Sequence, residues 1–203
     1  ARRQRQMCIR DSFMLVSWNS YYCYILSSAP QYYSREGVFR MTESDTRSGL
    51  YLVFVCTGNI CRSPMAEIIV RDEMEKDMLD LVATVDSCGL GGWHVGQGAD
   101  ERAIAELRRG GHDGGSHRAA KLGAEHMDAD LFIAMDKGHR EALIEHGIDP
   151  AKIRLMRSFD PSSPEDADVA DPYYGSTADF ETTRKNIEAA VPGLLDWIRA
   201  NRD

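Results

Sequence analysis

The 203-residue chain is long enough to bury one core and short for two, so a single domain with an appendage is expected. Its formal net charge of -8 lacks the basic surplus that neutralising nucleic-acid phosphates demands, so a dedicated nucleic-acid binder is excluded. No run of about 18 apolar residues occurs, so no membrane partner is expected, and five cysteines in a chain too long to need staples fit reduced thiols in a cytoplasm.

In chain order, residues 1–48 show neither helical nor strand periodicity and hold five of the eight tyrosines. They carry 7 Arg against 4 acidic residues, which leaves 17 basic and 28 acidic residues, a net -11, in the remainder. This segment is read as an N-terminal extension, disordered or foreign to the native fold. ARRQRQ followed by FMLVSWNSYYCYILSSA has the basic start and small-residue end of a signal peptide, but Ser, Asn and paired Tyr break its apolar centre. RQRQMCIRDS resembles a translated sequencing adapter, and Met41 opens MTESDTRSGLYLVFVC, an ordinary start for a cytosolic domain. The folded domain is expected over residues 49–203.

LYLVFVC (50–56) is a short continuous apolar run of the kind a strand buried on both faces shows. Ser63 and Pro64 then supply an N-cap and a first-turn proline, and Met65, Ile68, Ile69, Met74 and Met78 form a helical apolar stripe. LVATVDS (81–87) reads as a second strand, followed by a Gly-rich loop (89–98) and a helix over 100–109 ended by Gly110 and Gly111. DLFIAM (130–135) reads as a third strand; Asp136 after it is an N-cap, and the helix that follows ends near His146 and Gly147. KIRLM (152–156) is a fourth strand, and a last helix runs over 178–201 with a disturbance near Pro192 and Gly193. Strands alternating with helices imply a parallel sheet covered on both faces.

In such a sheet, ligands sit beyond the carboxyl ends of the strands, and Cys56 ends the first one. The loop CTGNICRSP feeds a helix N-terminus, whose converging N–H groups and positive dipole end form an anion site. The same field stabilises a thiolate at Cys56, and Arg62 adds a planar fork of donors suited to two phosphate oxygens. Gly58 and Asn59 stand where a tight loop needs positive φ. The plain alternatives are a buried structural cysteine beside a surface arginine, or a zinc site, for which only Cys88 remains in the domain as a further thiol. Thiolate attack on a phosphate ester also needs a proton donor for the leaving oxygen. Asp171 in VADPYYGS is the candidate, since its loop follows the fourth strand and can fold over the same sheet edge, although Asp-Pro alone is an ordinary turn opener. Tyr173, Tyr174 and Trp93 could wall a pocket for a flat leaving group, or be ordinary half-buried packing.

CTGNICRSPMAE followed by DPYYG resembles the low-molecular-weight protein tyrosine phosphatases over residues 50–201. The resemblance implies a flavodoxin-like three-layer α/β/α fold, a four-stranded parallel sheet flanked by helices on both faces, with no cofactor and no metal. It implies that Cys56 is the nucleophile forming a phosphocysteine, that Arg62 clamps the phosphoryl oxygens, and that Asp171 protonates the leaving phenolate and then activates water. Ser63 would donate a hydrogen bond to the thiolate, the backbone of Thr57, Gly58, Asn59, Ile60, Cys61 and Arg62 would complete the phosphate cradle, and Ser87 and His117 would support Asn59. Cys61 would either pair reversibly with Cys56 or only fill space.

Ile60 resembles the apolar residue of tyrosine-directed members, whereas phosphoarginine-directed relatives tend to carry Thr, so a phosphotyrosine protein or a small aryl phosphate is the expected partner, met by a monomer or weak dimer. An arsenate reductase of the same fold would need further thiols to relay electrons. A phosphocysteine carrier or a phosphopeptide-binding module would have no use for Asp171. The other acids of its loop (Asp160, Glu165, Asp166, Asp168, Asp179) read as solvated, and His112, His126, His139 and His146, scattered without ligand spacing, read as surface residues.

Overall fold

Alternate residues of LYLVFVC are apolar on both sides, and the chain uses them that way: Leu52, Phe54 and Cys56 face one core cluster, Val53 and Val55 the other, all nearly inaccessible to solvent. The structure is a computed structural model that describes residues 22–24, 31–34, 37–40 and 49–202. The chain divides after Ser48 into two units.

In the second unit, β4 (Leu50–Cys56) is flanked by β5 (Ala83–Gly89) on one side and β6 (Leu131–Ala134) on the other, with β7 (Ile153–Leu155) beyond β6. All pairs are parallel; Phe54 lies opposite Ser87 and Ile133, and Cys56 opposite Gly89. Helices α1 (Arg62–Lys76), α2 (Glu101–Arg109) and α4 (Thr177–Asn201) pack together over one core cluster, and α3 (Lys137–Glu145) packs on β6 and β7 over the other. This is the expected four-stranded parallel sheet between helical layers. Because β4 is an inner strand, its carboxyl end opens at the middle of the sheet edge, which fixes Cys56 centrally.

Several boundaries differ from expectation for local reasons. A 3-10 turn over Leu79–Leu81 takes the start of the second expected strand, moving β5 two residues along. Met78 leaves the predicted stripe: α1 stops at Lys76, and Met78 adopts a left-handed conformation (φ 56°) with its side chain in solvent. Pro192 does not interrupt α4, which runs continuously through it. A Cβ on Gly193 would stand 2.0 Å from the Phe159 carbonyl oxygen, so glycine lets α4 lie directly against the turn after β7. Asp136 caps α3 as expected by accepting from the His139 N–H. Among the described residues, no helix is long and apolar enough to cross a membrane.

The first unit contains β1 (Tyr22–Tyr24), β2 (Gln31–Ser34) and β3 (Gly37–Arg40) in an antiparallel order, with Ser34 opposite Gly37. Three- and four-residue strands are too short to register as periodicity, though Tyr, Val and Phe favour strands. The signal-peptide, adapter and Met41 readings fall mostly on residues outside the described ones.

Candidate active site

The loop after β4 is oriented by its carbonyl groups. Leu90 N–H donates to Cys56 O, Gly91 N–H to Thr57 O, His117 Nε2 to Asn59 O and Asp100 N–H to Ile60 O, at 2.8 to 3.0 Å. A trans peptide plane points its N–H opposite its C=O, so turning these carbonyls outward to the surrounding segments turns the N–H groups of Thr57, Gly58, Ile60 and Cys61 inward. The first turn of α1, starting at Arg62, adds N–H groups with no intrahelical acceptor. Together they make an anion cradle around the Cys56 sulfur.

Asn59 holds the loop. It is fully buried with φ 57°, a left-handed conformation in which Asn is one of the few tolerated side chains. Its Nδ2 donates to Ser63 Oγ and Ser87 Oγ, both at 2.8 Å, and its Oδ1 accepts from Ala120 N–H at 2.8 Å. Ser87 and His117 therefore meet Asn59 where the resemblance implied. Gly58 corrects an expectation: its φ is not positive, so Asn59 alone makes the left-handed turn. Gly89 beneath the loop has no room for a side chain, since a Cβ there would stand 2.9 Å from the Gly58 carbonyl carbon.

Ser63 is also corrected. It is no N-cap: α1 begins one residue earlier, Cys61 occupies the cap without a side-chain bond, and the Ser63 hydroxyl lies 3.0 Å from Cys56 Sγ. Asn59 N–H donates to the same sulfur at 3.3 Å. Cys56, Cys61 and Cys88 are free thiols. Burial, reinforced by the acidic Asp100 near Cys61, pushes the Cys61 thiol far up, and burial does the same to Cys88. Cys56 thus differs from the other two in having a hydroxyl and an amide aimed at its sulfur. Cys61 packs in the larger core cluster.

Arg62 is 3% exposed and spends its terminal nitrogens on four oxygens. Nη1 donates to Asp136 Oδ2 at 2.7 Å and to Val169 O at 3.3 Å; Nη2 donates to Asp171 Oδ2 at 2.6 Å and to Thr57 Oγ1 at 3.2 Å. The loop after β7 does fold over the sheet edge and bring Asp171 to the loop after β4. The two carboxylates are unlike. Burial would raise Asp136, but the His139 side chain and backbone N–H, and then Arg62, outweigh it and hold this carboxyl far below the ordinary range. Asp171 is held by Arg62 and the Tyr173 N–H, and its side chain is 47% exposed.

Cys56, Thr57, Ile60, Arg62 and Asp171 line one cleft of about 260 Å3, with Trp93, His94, Tyr173 and Tyr174 at its mouth. Trp93 is 73% exposed and Tyr174 97% exposed, packing edge-on to Tyr173 with ring centres 4.9 Å apart. Arg102 ties this mouth to α2: it donates to Tyr173 O at 3.0 Å and Gly175 O at 3.2 Å while bonding Asp100 and lying over the Phe180 ring. The remaining loop acids are less free than a solvated loop implies. Asp168 pairs with Lys137, Asp166 with Arg140, and Asp179 accepts from Ser176.

Sequence reasoning missed four participants. In the sequence Asp136 signals only a helix cap, and Arg102 belongs to no motif. Glu67, on the buried face of α1, accepts from Ser87 Oγ and lies 3.8 Å from His117 Nδ1. His139, expected at the surface, is buried, as are His112 and His126, each beside a carboxylate; of the four only His146 is exposed.

Residues 51–203 match the family described as low molecular weight phosphotyrosine protein phosphatase. The chain is 49% identical over 150 residues to low molecular weight protein-tyrosine phosphatase A of Mycobacterium tuberculosis, covering 73% of this chain and 91% of that one. It is 46% identical over 151 residues to the low molecular weight protein-tyrosine-phosphatase of Streptomyces coelicolor, covering 72% and 92%. Among solved structures, YfkJ from Bacillus subtilis shares the fold with a TM-score of 0.71 at 34% identity, over 78% of this chain and 99% of that one. YwlE arginine phosphatase, with a phosphorylated active-site serine, does so with a TM-score of 0.68 at 29% identity, over 75% and 98%. By its sequence over residues 51–203 and by its fold, the chain belongs to the low molecular weight phosphotyrosine protein phosphatase family.

Proposed function

We propose that this chain hydrolyses phosphotyrosine, or a related aryl phosphate, through a phosphocysteine at Cys56. One observation carries the reading: the sulfur, the inward N–H groups, the guanidinium and a half-exposed carboxylate all line a single cleft with aromatic walls.

A phosphate dianion entering the cradle competes with Asp171 for Arg62 Nη2, since that nitrogen already serves a carboxylate there. Asp136, fixed by the helix cap and kept ionised, stays on Nη1 and orients the guanidinium. Asp171 sits on a loop and is the one able to carry a proton to the leaving oxygen. The Cys56 sulfur attacks phosphorus, the P–O bond to the phenol breaks, and the phenolate takes the Asp171 proton. Water then attacks the phosphocysteine, gives its proton back to the Asp171 carboxylate, and the S–P bond breaks to release phosphate and the thiolate. Arg62 and the loop N–H groups stabilise the equatorial oxygens throughout.

Ile60 at the cleft wall and the Trp93 and Tyr173 rings at the mouth favour a flat aryl group over a guanidino phosphate. The free thiols accord with action in a reducing cytoplasm, and the acidic surface with protein rather than nucleic-acid partners; a monomer or weak dimer suffices, since one chain supplies every group named. The test is turnover of para-nitrophenyl phosphate, phosphotyrosine peptide and phosphoarginine by the full chain. Aryl phosphate hydrolysis that is abolished in Cys56→Ser supports the reading; preference for phosphoarginine redirects it; phosphate binding without turnover overturns it.

A further inference from the structure

Four side chains close a ring beside the cleft, two of them, Thr57 and Arg62, lining it. Arg62 Nη1 donates to Asp136 Oδ2, Asp136 Oδ1 lies 3.0 Å from His139 Nδ1, His139 Nε2 lies 2.9 Å from Thr57 Oγ1, and Thr57 Oγ1 accepts from Arg62 Nη2. His139 is buried, while Thr57 lines the cleft. A lone pair on Nδ1 facing a carboxylate at that distance would be repelled, so Nδ1 carries a proton even though it is not aligned as a full hydrogen bond. The direction of the Nε2 to Thr57 bond then depends on whether the ring holds a second proton.

With a neutral ring, Nε2 accepts the Thr57 hydroxyl proton, and Thr57 has no hydrogen left for the cleft. With an imidazolium, Nε2 donates, Thr57 Oγ1 accepts from both His139 and Arg62, and its own O–H turns to the cleft it lines. Resting on the phosphatase reading, we propose that His139 is a positioning residue that acts through Thr57, its protonation switching the Thr57 hydroxyl into a donor for a phosphate oxygen. The charged groups facing His139 are Asp136 on its own helix, Arg62 of α1, and Asp171 beyond Arg62 in the loop after β7; Lys137 and Arg140 are paired with Asp168 and Asp166 instead.

Inhibition of para-nitrophenyl phosphate hydrolysis by inorganic phosphate tests this in the full chain, measured across a pH series from acid to mildly alkaline solution. Wild type, Thr57→Val, His139→Phe and His139→Gln are compared, with urea midpoints confirming that each folds. At acid pH, Thr57→Val weakens phosphate binding by roughly tenfold, the scale of a lost hydrogen bond to a charged group. The ratio of wild-type to Thr57→Val affinity falls as pH rises across the series, while the affinities of His139→Phe and His139→Gln, each taken relative to Thr57→Val, stay flat. His139→Gln keeps a donor toward Thr57 without a titration and so keeps the affinity. The same pH dependence in all four proteins, with affinities within about twofold, overturns the role of His139 while leaving the phosphatase reading intact. Absence of both turnover and phosphate inhibition in the wild type overturns both.

Discussion

Asp136 and Asp171 bind the two terminal nitrogens of Arg62 at almost the same distance, 2.7 and 2.6 Å, yet they are held to different degrees. Asp136 follows β6 and caps α3; Asp171 lies on a loop with nearly half its side chain in solvent. Geometry to the guanidinium does not distinguish the two carboxylates, but the second contacts of each do.

Substituting the two therefore gives opposite kinetic signatures. Asp171→Asn lowers kcat for para-nitrophenyl phosphate by about 10²- to 10⁴-fold, the loss typical of a general acid, while phosphate inhibition strengthens because Arg62 Nη2 loses a competing carboxylate. Asp136→Asn chiefly weakens phosphate binding, because Arg62 loses its fixed partner. Steady-state kinetics with phosphate as inhibitor separates the two patterns.

Asp136 also predicts a pH dependence of stability. Its folded-state carboxyl is held below the ordinary value, so its contribution is present in full above the unfolded value near about 3.9 and is lost as pH falls toward the folded one. Asp136→Asn, which retains a good cap, destabilises by about 1–3 kcal/mol at neutral pH. Urea unfolding of both proteins shows the gap narrowing as the solution is acidified below about pH 4.

Asn59 carries both a conformation and a network. Asn59→Gly keeps the left-handed turn but removes the bonds to Ser63, Ser87 and Ala120; Asn59→Ala loses both. Denaturant midpoints rank wild type above Gly above Ala, the second step being about 1 kcal/mol, the cost of a left-handed alanine. Both variants lose most activity, since the N–H groups no longer converge.

Ser63→Ala removes the hydroxyl 3.0 Å from the Cys56 sulfur. Iodoacetate alkylation of Cys56 at mildly acidic pH slows by roughly tenfold, because one hydrogen bond to a charged sulfur is lost. Cys61 and Cys88, buried and pushed upward, remain unmodified on that timescale.

Arg102→Ala frees the Tyr173 and Gly175 carbonyls that pin the acid loop. Roughly tenfold of kcat is lost for poor leaving groups and little for good ones, which need no proton, while the urea midpoint barely moves. A series of aryl phosphates of graded leaving-group acidity measures this directly.

The legible parts of the site were those whose spacing is local. Cys56, Asn59, Arg62 and Ser63 lie in one loop at a strand end, and the strand's apolar run announced where that loop would open. Asp171 was reachable because its loop follows β7 at the same sheet edge. Asp136 and His139 were not legible in their full roles: a carboxylate after a strand reads as a cap, which it also is, and nothing local shows that α3 turns His139 inward to Thr57. Glu67 was hidden because the first turns of α1 are buried on every side, so no polar stripe marked it. Boundaries slipped at Leu79–Leu81 and Met78, where a 3-10 turn and a left-handed residue outweighed apolar periodicity.

The most direct test of the central claim is intact-protein mass spectrometry of the full chain, acid-quenched during turnover of an aryl phosphate, in wild type, Asp171→Ala and Cys56→Ser. The account predicts a single added phosphoryl group, mapped to Cys56 and absent from Cys56→Ser. Steady hydrolysis with no phosphoryl group on Cys56 in any quenched sample, or hydrolysis surviving Cys56→Ser, would contradict it.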